Sequence, residues 1–356
     1  MNAPNCSEPS SKYQHHLFPL VYGVAMVLGL PGNLLALYIF LFKVSPRTSS
    51  GVYVVNLALA DTAILLTLPF RIHYHLHDNT WVFGDMACRV TGALWYANIY
   101  ISICFMTCIC VDRYVAVVHP HRYLRLKNPC GAAAVSVLLW AVLGVALLTF
   151  ICMGSLESVQ DPTSGSRCFE SFTRGEWERR IGPYSVISLV FCSLLPSVVI
   201  LVCYPLAMRR ISRIGGGTAR RAQRIIFTVL AITLLCFLPY HTVLLLHLLR
   251  RMDVIRHCGP ANAIYHARRV TMALVSLNTC LDPLLFYVTS KHSRHWRPLR
   301  RLWLWCRARR EVGIYTLSHA ADLGETAASA PRDYCHQRKE RSGFSTKTFN
   351  QMSSVQ

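Results

Sequence analysis

Charged side chains inside long apolar stretches are the residues of this sequence that could do chemistry. Asp61, Arg71 and Asp282 each lie within an apolar run, and Asp112 with Arg113 closes another. Because a charge that faces lipid is costly, such side chains are expected to face a polar interior or a water-filled cavity. Asp112 can hold Arg113 through a charge-assisted hydrogen bond, and release of that bond would free a guanidinium cation. The sequence therefore predicts an ion pair at one end of an apolar helix, and a solvated pair at a helix end is the alternative to a contact that is released in function.

The composition indicates what surrounds these charges. The 356-residue chain is 53% hydrophobic and only 15% charged, which would leave a soluble protein with too little polar surface. The formal net charge of +20 does not indicate nucleic-acid binding, because Lys and Arg gather between apolar blocks without the interleaved aromatic residues of a single-strand binder. We therefore expect a membrane protein and no nucleic-acid partner.

Seven apolar segments are long enough to form membrane-spanning helices that position the charged residues. About 20 apolar residues in a helix cross a bilayer core of about 30 Å. The segments, called helix 1 to helix 7, are residues 17–43, 52–77, 86–117, 131–153, 183–208, 224–249 and 266–288. Five of them contain prolines, which lipid tolerates only where neighbouring groups take up the freed carbonyls: Pro31, Pro69, Pro196, Pro239 and Pro283. The sequence thus predicts an all-α membrane protein, a seven-transmembrane helix bundle with a polar interior.

The charge of the connecting loops sets the orientation of the bundle. Residues 209–224 carry six arginines, and residues 291–310 carry eight Lys and Arg residues and no acid, so both are expected in the cytoplasm. An odd number of helices then places residues 1–16 outside the cell, in agreement with the glycosylation sequon that begins at Asn5. We expect a multi-pass protein of the plasma membrane with an extracellular N-terminus.

The chain after helix 7 divides into two parts. Residues 291–307 alternate basic side chains with Trp and Leu, which is typical of a short amphipathic eighth helix along the inner leaflet. Cys306 is placed for palmitoylation, although a basic anchor without a lipid fits the pattern equally. Residues 308–356 are polar and predict a disordered cytoplasmic tail after the membrane domain at 17–290. The tail hydroxyls open to kinases are Ser342, Ser345, Thr346, Thr348, Ser353 and Ser354.

Short motifs that follow one another along the seven helices resemble a known family. They are Gly32-Asn33, Asn56 to Asp61, Trp81-x-Phe-Gly84, Cys88, Asp112-Arg113-Tyr114, Trp140, Pro196 with Tyr204, Cys236 to Pro239, and Asn278 with Asp282-Pro283. In this order and spacing, residues 17 to about 306 resemble the rhodopsin-like (class A) G-protein-coupled receptors. The resemblance implies a receptor, not an enzyme, that passes a signal from an extracellular ligand to a heterotrimeric G protein. It also implies arrestin and receptor kinases as partners of the tail.

The resemblance assigns roles to residues near the cytoplasmic side. Asp112, Arg113 and Tyr114 would meet the G protein once the ion pair opens. Pro239, beneath Phe237, would give helix 6 a hinge on which its cytoplasmic half swings outward. The other residues implied in activation are Tyr204, Asn278, Asp282, Pro283 and Phe286.

A polar cluster in the middle of the bundle is implied as well. In the family these positions line a water-filled pocket that often holds sodium, and a structural hydrogen-bond network is the competing interpretation. They are Asp61, Asn98, Ser102, Asn278 and Asp282. No other cofactor or metal is expected. Phe286 replaces the tyrosine usual at its position and so removes a hydroxyl that would contact Tyr204 through water, and basal activity or coupling efficiency can differ as a result.

Four cysteines are implied in extracellular disulfides. Cys88 and Cys168 match the family's bridge between helix 3 and the second outer loop. Cys6 and Cys258 are the remaining cysteines on that side, and they could tie the N-terminus to the third outer loop. The other cysteines lie mostly in apolar stretches without zinc-site spacing and are expected to be free thiols.

Further motifs favour the branch of the family that contains the purinergic, lysophospholipid and proton-sensing receptors. They are Leu68 to Arg71, Asn98 to Ser102, Cys168 to Phe172 ahead of Trp177, and Pro239-Tyr240-His241. Amine ligands are not expected, because helix 3 has Trp95 and Tyr96, and no acid, where amine receptors hold an ammonium group.

Arginines near the outer mouth indicate an anionic ligand. Arg71 lies about two and a half turns above Asp61, and Arg268 or Arg269 opens helix 7 across from it. Two guanidinium groups suit a phosphate or carboxylate, and the alternative is a structural pair between Arg71 and a loop acid such as Glu170. The remaining candidate ligand contacts are Tyr74, Trp95, Tyr96 and His241, with the aliphatic Leu244 nearby. The first choice is a lysophospholipid such as lysophosphatidic acid, and a nucleotide is an alternative.

Proton sensing is a further alternative, because histidine titrates near neutral pH. The outer histidines are His15, His16, His73, His75, His77, His247, His257 and His266. Against it, helix 4 lacks the acid of proton-sensing receptors, and Arg71 replaces an apolar residue. A transporter is a distant alternative, because the helices lack the internal repeat of most transporters and the Asp112-Arg113-Tyr114 motif has no role in transport.

Overall fold

Helices make up almost all of the described chain in a computed structural model of the protein. The structure describes residues 12–44, 48–121, 123, 128–152, 157–159, 166–168, 181–214, 216–252, 254–255 and 257–289, all within one compact unit, Met1–His295. The predictions for Asn5, Cys6, Glu170, the amphipathic helix at 291–307, Cys306 and the tail at 308–356 lie outside these residues, as does the side chain of Cys258. The proposed Cys6–Cys258 disulfide therefore stays a prediction.

The seven predicted segments all form helices, and three of these include π-helical turns. Helix 1 comprises Gln14–Val24, Ala25–Gly29 (π), Leu30–Tyr38 and Ile39–Lys43 (π), helix 2 comprises Ser49–Leu65 and Leu68–Leu76, helix 3 is Gly84–Val118, and helix 4 is Pro129–Cys152. Helix 5 comprises Gly182–Leu189, Val190–Leu194 (π) and Leu195–Ile214, helix 6 comprises Gly216–Ile232, Thr233–Phe237 (π) and Leu238–Arg251, and helix 7 comprises Cys258–Ser276 and Asn278–Thr289. Helices 1 to 6 are long and apolar enough to cross a membrane, and helix 7, with three charged residues, completes the predicted all-α bundle.

Two prolines lie where helices 2 and 6 can bend. In helix 2, turn residues Leu66 and Thr67 separate the two parts, and Pro69 lies in the first turn of the second part. In helix 6, Pro239 lies in the first turn of Leu238–Arg251, directly after the π-helical turn Thr233–Phe237. Proline has no N–H to donate to the preceding turn, and a π-helical turn carries an extra residue, so both features weaken the regular hydrogen-bond ladder.

Helices 1 and 7 approach each other closely at a glycine. A Cβ atom added at Gly32 would lie 2.7 Å from Cγ of Pro283, so any larger residue would force the helices apart. One residue further, Asn33 Nδ2 donates to the carbonyl oxygens of Gly29 and Thr279, each at 2.9 Å. The motif Gly32-Asn33 therefore fixes the contact between helices 1 and 7.

The bundle is apolar on its outside and polar in its interior. Helix 4 presents Leu138, Val145 and Leu148 outward, with 62%, 66% and 63% of their surfaces exposed, as suits side chains that face lipid. In the interior, Asp61 and Asp282 are fully buried. Their burial agrees with the expectation that a charged side chain within a membrane-spanning helix faces the interior of the bundle.

A short β-hairpin covers part of the outer face. Strand β1, Glu157–Val159, pairs antiparallel with strand β2, Ser166–Cys168, and Glu157 lies opposite Cys168. Cys168 forms a disulfide with Cys88 at the start of helix 3, with a Cα–Cα distance of 5.7 Å. The predicted Cys88–Cys168 bridge is therefore confirmed, whereas the sequence did not predict the hairpin.

Candidate functional site

A cavity of about 550 Å³ opens between helices 3, 4, 5 and 6. Its wall on helices 4 and 5 is apolar and includes Leu139, Val142, Leu147 and Phe191. A volume of this size is typical of a small-molecule pocket.

One end of the cavity is cationic. Arg268 of helix 7 and Arg251 of helix 6 both line it, together with His247. Arg268 Nη1 lies 2.6 Å from Nε2 of His247, and since arginine can only donate, this nitrogen accepts and the imidazole is neutral in that arrangement. Arg250 lies beside them and donates to the carbonyl of Ala261 at 3.3 Å. The cavity thus joins a positive end to a long apolar wall.

Arg71 lies in a different part of the bundle, between helices 1, 2, 3 and 7. Its guanidinium group lies over the ring of Trp95, 5.4 Å from the ring centroid, and acts electrostatically on the hydroxyl of Tyr22. Arg269 belongs to this side as well, because it lies over the ring of Tyr265 at 5.2 Å and acts electrostatically on Tyr22. The structure therefore pairs Arg71 with Arg269, and it does not bring Arg71 to the cavity that Arg268 lines.

The other predicted ligand residues are divided in the same way. Tyr96 lines the cavity. Tyr74 is buried with its ring 6.0 Å from that of Trp81, in the cluster around the Cys88–Cys168 disulfide. His241 is only 4% exposed, and its ring lies 6.2 Å from that of Phe237. Among the protein groups of the described chain, neither ring nitrogen of His241 has a hydrogen-bond partner.

Two buried carboxyl groups meet in the middle of the bundle. Asn98 Nδ2 donates to Oδ1 of Asp61 at 3.0 Å and lies 3.4 Å from Oγ of Ser102. Asp61 and Asp282 are both fully buried and act electrostatically on each other, and Asn278, one helical turn before Asp282, is 1% exposed. The five residues predicted for a sodium pocket therefore lie in one buried polar region.

The donor set of this region fits a small hard cation. Asp61 Oδ2 and both carboxylate oxygens of Asp282 lack a protein hydrogen-bond partner among the described residues. Two adjacent buried carboxylates cannot both stay charged without a proton or a cation between them. Oxygen ligands are those that hard cations such as sodium prefer.

A second ionic site lies near the C-terminal end of helix 3. Arg113 donates to Oδ2 of Asp112 from Nε at 3.0 Å and also from Nη2, and the two side chains are only 19% and 10% exposed. Ser50 of helix 2 donates to the same carboxylate oxygen. Arg113 Nη2 also donates to the hydroxyl of Tyr123 at 3.1 Å. Burial raises the pKa of Tyr123, so this acceptor is a neutral phenol at physiological pH.

The remaining residues predicted for activation are partly or fully buried. Phe237 and Phe286 are fully buried, and Tyr204 and Tyr114 are half-buried. Since Phe286 is fully enclosed, its apolar ring occupies this position without leaving a buried hydroxyl to be satisfied. Pro283 lies against Gly32, as described above.

The outer end of helix 1 is tied to helices 2 and 7 by polar contacts. The hydroxyl of Tyr13 lies 2.9 Å from Nδ1 of His266. His15 Nδ1 lies 2.9 Å from the backbone oxygen of His75 and 3.9 Å from Oδ1 of Asp78. These contacts bring His15 next to the buried His75 on helix 2 and place His266 of helix 7 beside Tyr13.

A model of the family described as 7 transmembrane receptor (rhodopsin family) matches residues 32–286. The chain belongs to this receptor family. It is a membrane receptor of a family that couples to G proteins, and it is not an enzyme.

Three curated relatives of the receptor extend this finding. The receptor is 36% identical over 290 residues to G-protein coupled receptor 68 of Mus musculus, covering 80% of the chain and 76% of the relative. It is 33% identical over 296 residues to the uracil nucleotide/cysteinyl leukotriene receptor of Homo sapiens, covering 82% and 78%. It is 32% identical over 295 residues to lysophosphatidic acid receptor 6 of Gallus gallus, covering 82% and 95%.

Several residues of these sites were not predicted from the sequence. Ser50 and Tyr123 hold the Asp112–Arg113 contact from helix 2 and from the loop after helix 3. Arg251 lines the cavity beside His247, which the sequence suggested only as a titratable group. A cluster of basic residues at the outer ends of helices 6 and 7 was the available signal for Arg251. No sequence pattern indicated Ser50 or Tyr123, because their partners are distant along the chain.

Proposed function

We propose that the receptor responds to an extracellular anionic ligand with an apolar tail, and that this ligand is a lysophospholipid such as lysophosphatidic acid. The observation that carries the proposal is the shape and charge of the cavity. Its positive end has Arg268, Arg251 and His247, and its wall is lined by aliphatic side chains and Phe191. A phosphate at the positive end would place an acyl chain along that wall.

The apolar wall favours a lipid over a nucleotide. Each buried CH₂ group of a tail contributes about 0.8 kcal/mol, so an acyl chain gains much of its binding energy from this wall. A nucleotide would satisfy the guanidinium groups, but its polar base and ribose would leave hydrogen-bonding groups unpaired against Leu139, Val142 and Leu147. The names of two relatives mention lysophosphatidic acid and uracil nucleotides, and both ligands are anions.

The test compares two arginines that the structure separates. G-protein activation is measured with lysophosphatidic acid, with uridine diphosphate and with acidified medium, on wild type, Arg268→Ala and Arg71→Ala. A charged hydrogen bond is worth about 1.5–3 kcal/mol, so Arg268→Ala is expected to lower lysophosphatidic acid potency about 10- to 100-fold at unchanged surface expression. Arg71→Ala is the matched control and is expected to change potency less.

Two outcomes would contradict the proposal. If Arg71→Ala abolishes the lipid response and Arg268→Ala leaves it unchanged, the head group binds on the side of helices 1, 2 and 7. If the receptor responds only to uridine diphosphate, the ligand is a nucleotide and the apolar wall has another role.

Proton sensing is the second candidate, and the contacts of His15 favour it. His15 Nδ1 lies within 2.9 Å of the carbonyl oxygen of His75 and 3.9 Å from Oδ1 of Asp78, so a positive charge on this imidazole would attract the carboxylate and strengthen the contact between helices 1 and 2. His247, by contrast, accepts a hydrogen bond from Arg268, and this arrangement requires a neutral imidazole. A response to acid alone that His15→Gln weakens would support this candidate, and a flat response between about pH 6 and pH 8 would exclude it.

The buried carboxylates are proposed to hold a sodium ion. Asp61 and Asp282 would supply charged oxygen ligands, with Asn98, Ser102 and Asn278 around them, and a bound ion would neutralise the pair. Ligand affinity is then expected to depend on sodium concentration in wild type and not in Asp282→Asn. Sodium dependence that persists in this variant would contradict the assignment.

Cellular location and cytoplasmic partners complete the proposal. The receptor is proposed to lie in the plasma membrane with its N-terminus outside, where an epitope attached before residue 12 would be stained on intact cells. Arrestin and receptor kinases are proposed as partners of the tail, whose hydroxyls the kinases would phosphorylate. An epitope that is stained only after permeabilisation would contradict the orientation.

A further inference from the structure

Two pairs of thiols join helix 3 to helix 5 inside the bundle. Cys104 of helix 3 and Cys192 of helix 5 interact with each other and line the same cavity, and Cys110 of helix 3 interacts in the same way with Cys203 of helix 5. All four cysteines are free thiols. A lone buried cysteine is ordinary packing, but two thiols in contact across two helices form a dithiol that can react as a unit.

The two dithiols differ in access. Cys104 and Cys192 are half-buried and both line the 550 Å³ cavity. Cys110 and Cys203 are 0% and 8% exposed and are not among the residues that line it. Because oxidation of cysteine follows its exposure, a reagent that enters the cavity would reach the outer dithiol and not the inner one.

The backbone around Cys192 holds this dithiol together. Cys192 lies in the middle of the π-helical turn Val190–Leu194, and this turn packs against helix 3. Helix 3 is a continuous α-helix at Cys104. The two sulfur atoms therefore come from packed helical elements, and not from loops that must first be ordered.

We propose that Cys104 and Cys192 form an oxidisable dithiol in the cavity wall, and that its reagents are hydroperoxides. The thiolate of one cysteine attacks the peroxide, which forms a sulfenic acid and releases an alcohol or, from hydrogen peroxide, water. The second sulfur then displaces the sulfenic oxygen, which leaves as water, and an S–S bond forms. Two thiols lose two electrons and two protons, and one peroxide is reduced.

The disulfide would join helix 3 covalently to helix 5 beside the cavity. Ligand entry and relative movement of these helices would both be restricted, so the oxidised receptor should respond less to any ligand of this cavity. The modification itself does not depend on which ligand binds, and its chemical readout tests it separately from the proposed function.

The experiment maps disulfides in the full-length receptor in cell membranes. Membranes are treated with hydrogen peroxide, free thiols are blocked with N-ethylmaleimide, and the cross-linked peptides are identified by mass spectrometry before and after reduction. The expected result is a reducible peptide pair that contains Cys104 and Cys192. It should be lost in Cys104→Ser and in Cys192→Ser and retained in the matched control Cys110→Ser.

Several results would overturn the proposal. One is that Cys104 and Cys192 remain fully alkylated at a peroxide concentration that oxidises the exposed Cys130. Another is a cross-link from Cys104 to Cys108 in place of the bridge to helix 5. Because the wild-type peptide map needs no variant, the test remains decisive even if one of the serine variants fails to reach the membrane.

Discussion

Ser50 is expected to restrain the resting state of the receptor. Its hydroxyl donates to Oδ2 of Asp112, the oxygen that also accepts both hydrogen bonds from Arg113. Ser50 is 1% exposed, so water cannot replace it readily. Ser50→Ala removes the link between helix 2 and the Asp112–Arg113 contact, and the carboxylate then holds the guanidinium less firmly.

The size of this effect follows from the kind of bond that is lost. Hydrogen bonds to charged groups contribute about 1.5–3 kcal/mol, and Arg113 keeps its bonds to Asp112 and Tyr123 in the variant. We take about 1–2 kcal/mol as the loss that favours the active state, which raises its population about 5- to 30-fold. Nucleotide exchange without ligand should rise by a comparable factor.

The assay is ligand-independent nucleotide exchange on the G protein in membranes with equal receptor amounts. Ser136→Ala is the matched control, because Ser136 is a buried serine that donates only within helix 4, to the carbonyl of Ala132 at 2.8 Å. Asp112→Asn sets the upper limit of the effect. Basal exchange in Ser50→Ala that equals wild type, while Asp112→Asn is raised, would refute the role given to Ser50.

Two further predictions concern helix packing. Gly32→Ala should lower the melting temperature of the solubilised receptor, because the added Cβ would lie 2.7 Å from Pro283 and such overpacking costs about 1–3 kcal/mol. Gly23→Ala is the control and should have no such effect, because nothing lies within 4 Å of a Cβ at that position. Equal melting temperatures of the two variants would contradict the close approach of helices 1 and 7. Trp140→Phe removes the donor of the 2.9 Å bond to Asn56 and should destabilise the receptor by about 0.5–1.5 kcal/mol, which thermal unfolding would show; a melting temperature equal to wild type would show that this bond adds nothing.

The sequence predicted the helices well because hydropathy reports which segments lie in lipid. It placed the start of helix 1 at 17, whereas the helix begins at Gln14, and the start of helix 2 at 52, whereas it begins at Ser49. Both missed turns are polar and are held by specific bonds. Tyr13 contacts His266, and Thr48 accepts from the backbone of Gly51 at 3.2 Å. Hydropathy contains no information about such contacts.

The ligand residues were harder to predict because a sequence does not give the rotation of each helix. Adjacent residues on an α-helix point about 100° apart, so Arg268 and Arg269 cannot face the same neighbour. The sequence left open which of them faces Arg71. In the structure Arg269 shares its side of the bundle with Arg71, and Arg268 contacts His247 in the cavity. The contact between Cys104 and Cys192 could not be predicted from the sequence for the same reason, because it depends on the rotation of helices 3 and 5.

Helix 3 connects the cavity to the Asp112–Arg113 contact. Gly84–Val118 is one uninterrupted α-helix, and along it Tyr96 lines the cavity, Asn98 donates to Asp61, and Arg113 ends in the contact with Asp112. Helix 6, by contrast, has a π-helical turn followed by proline at its middle. Because an unbroken helix resists bending and an interrupted one does not, a ligand that pushes on both would displace helix 6 relative to helix 3. That displacement of helix 6 would open the space beside Arg113. The position of the interruption in helix 6 would therefore determine which end of the bundle moves.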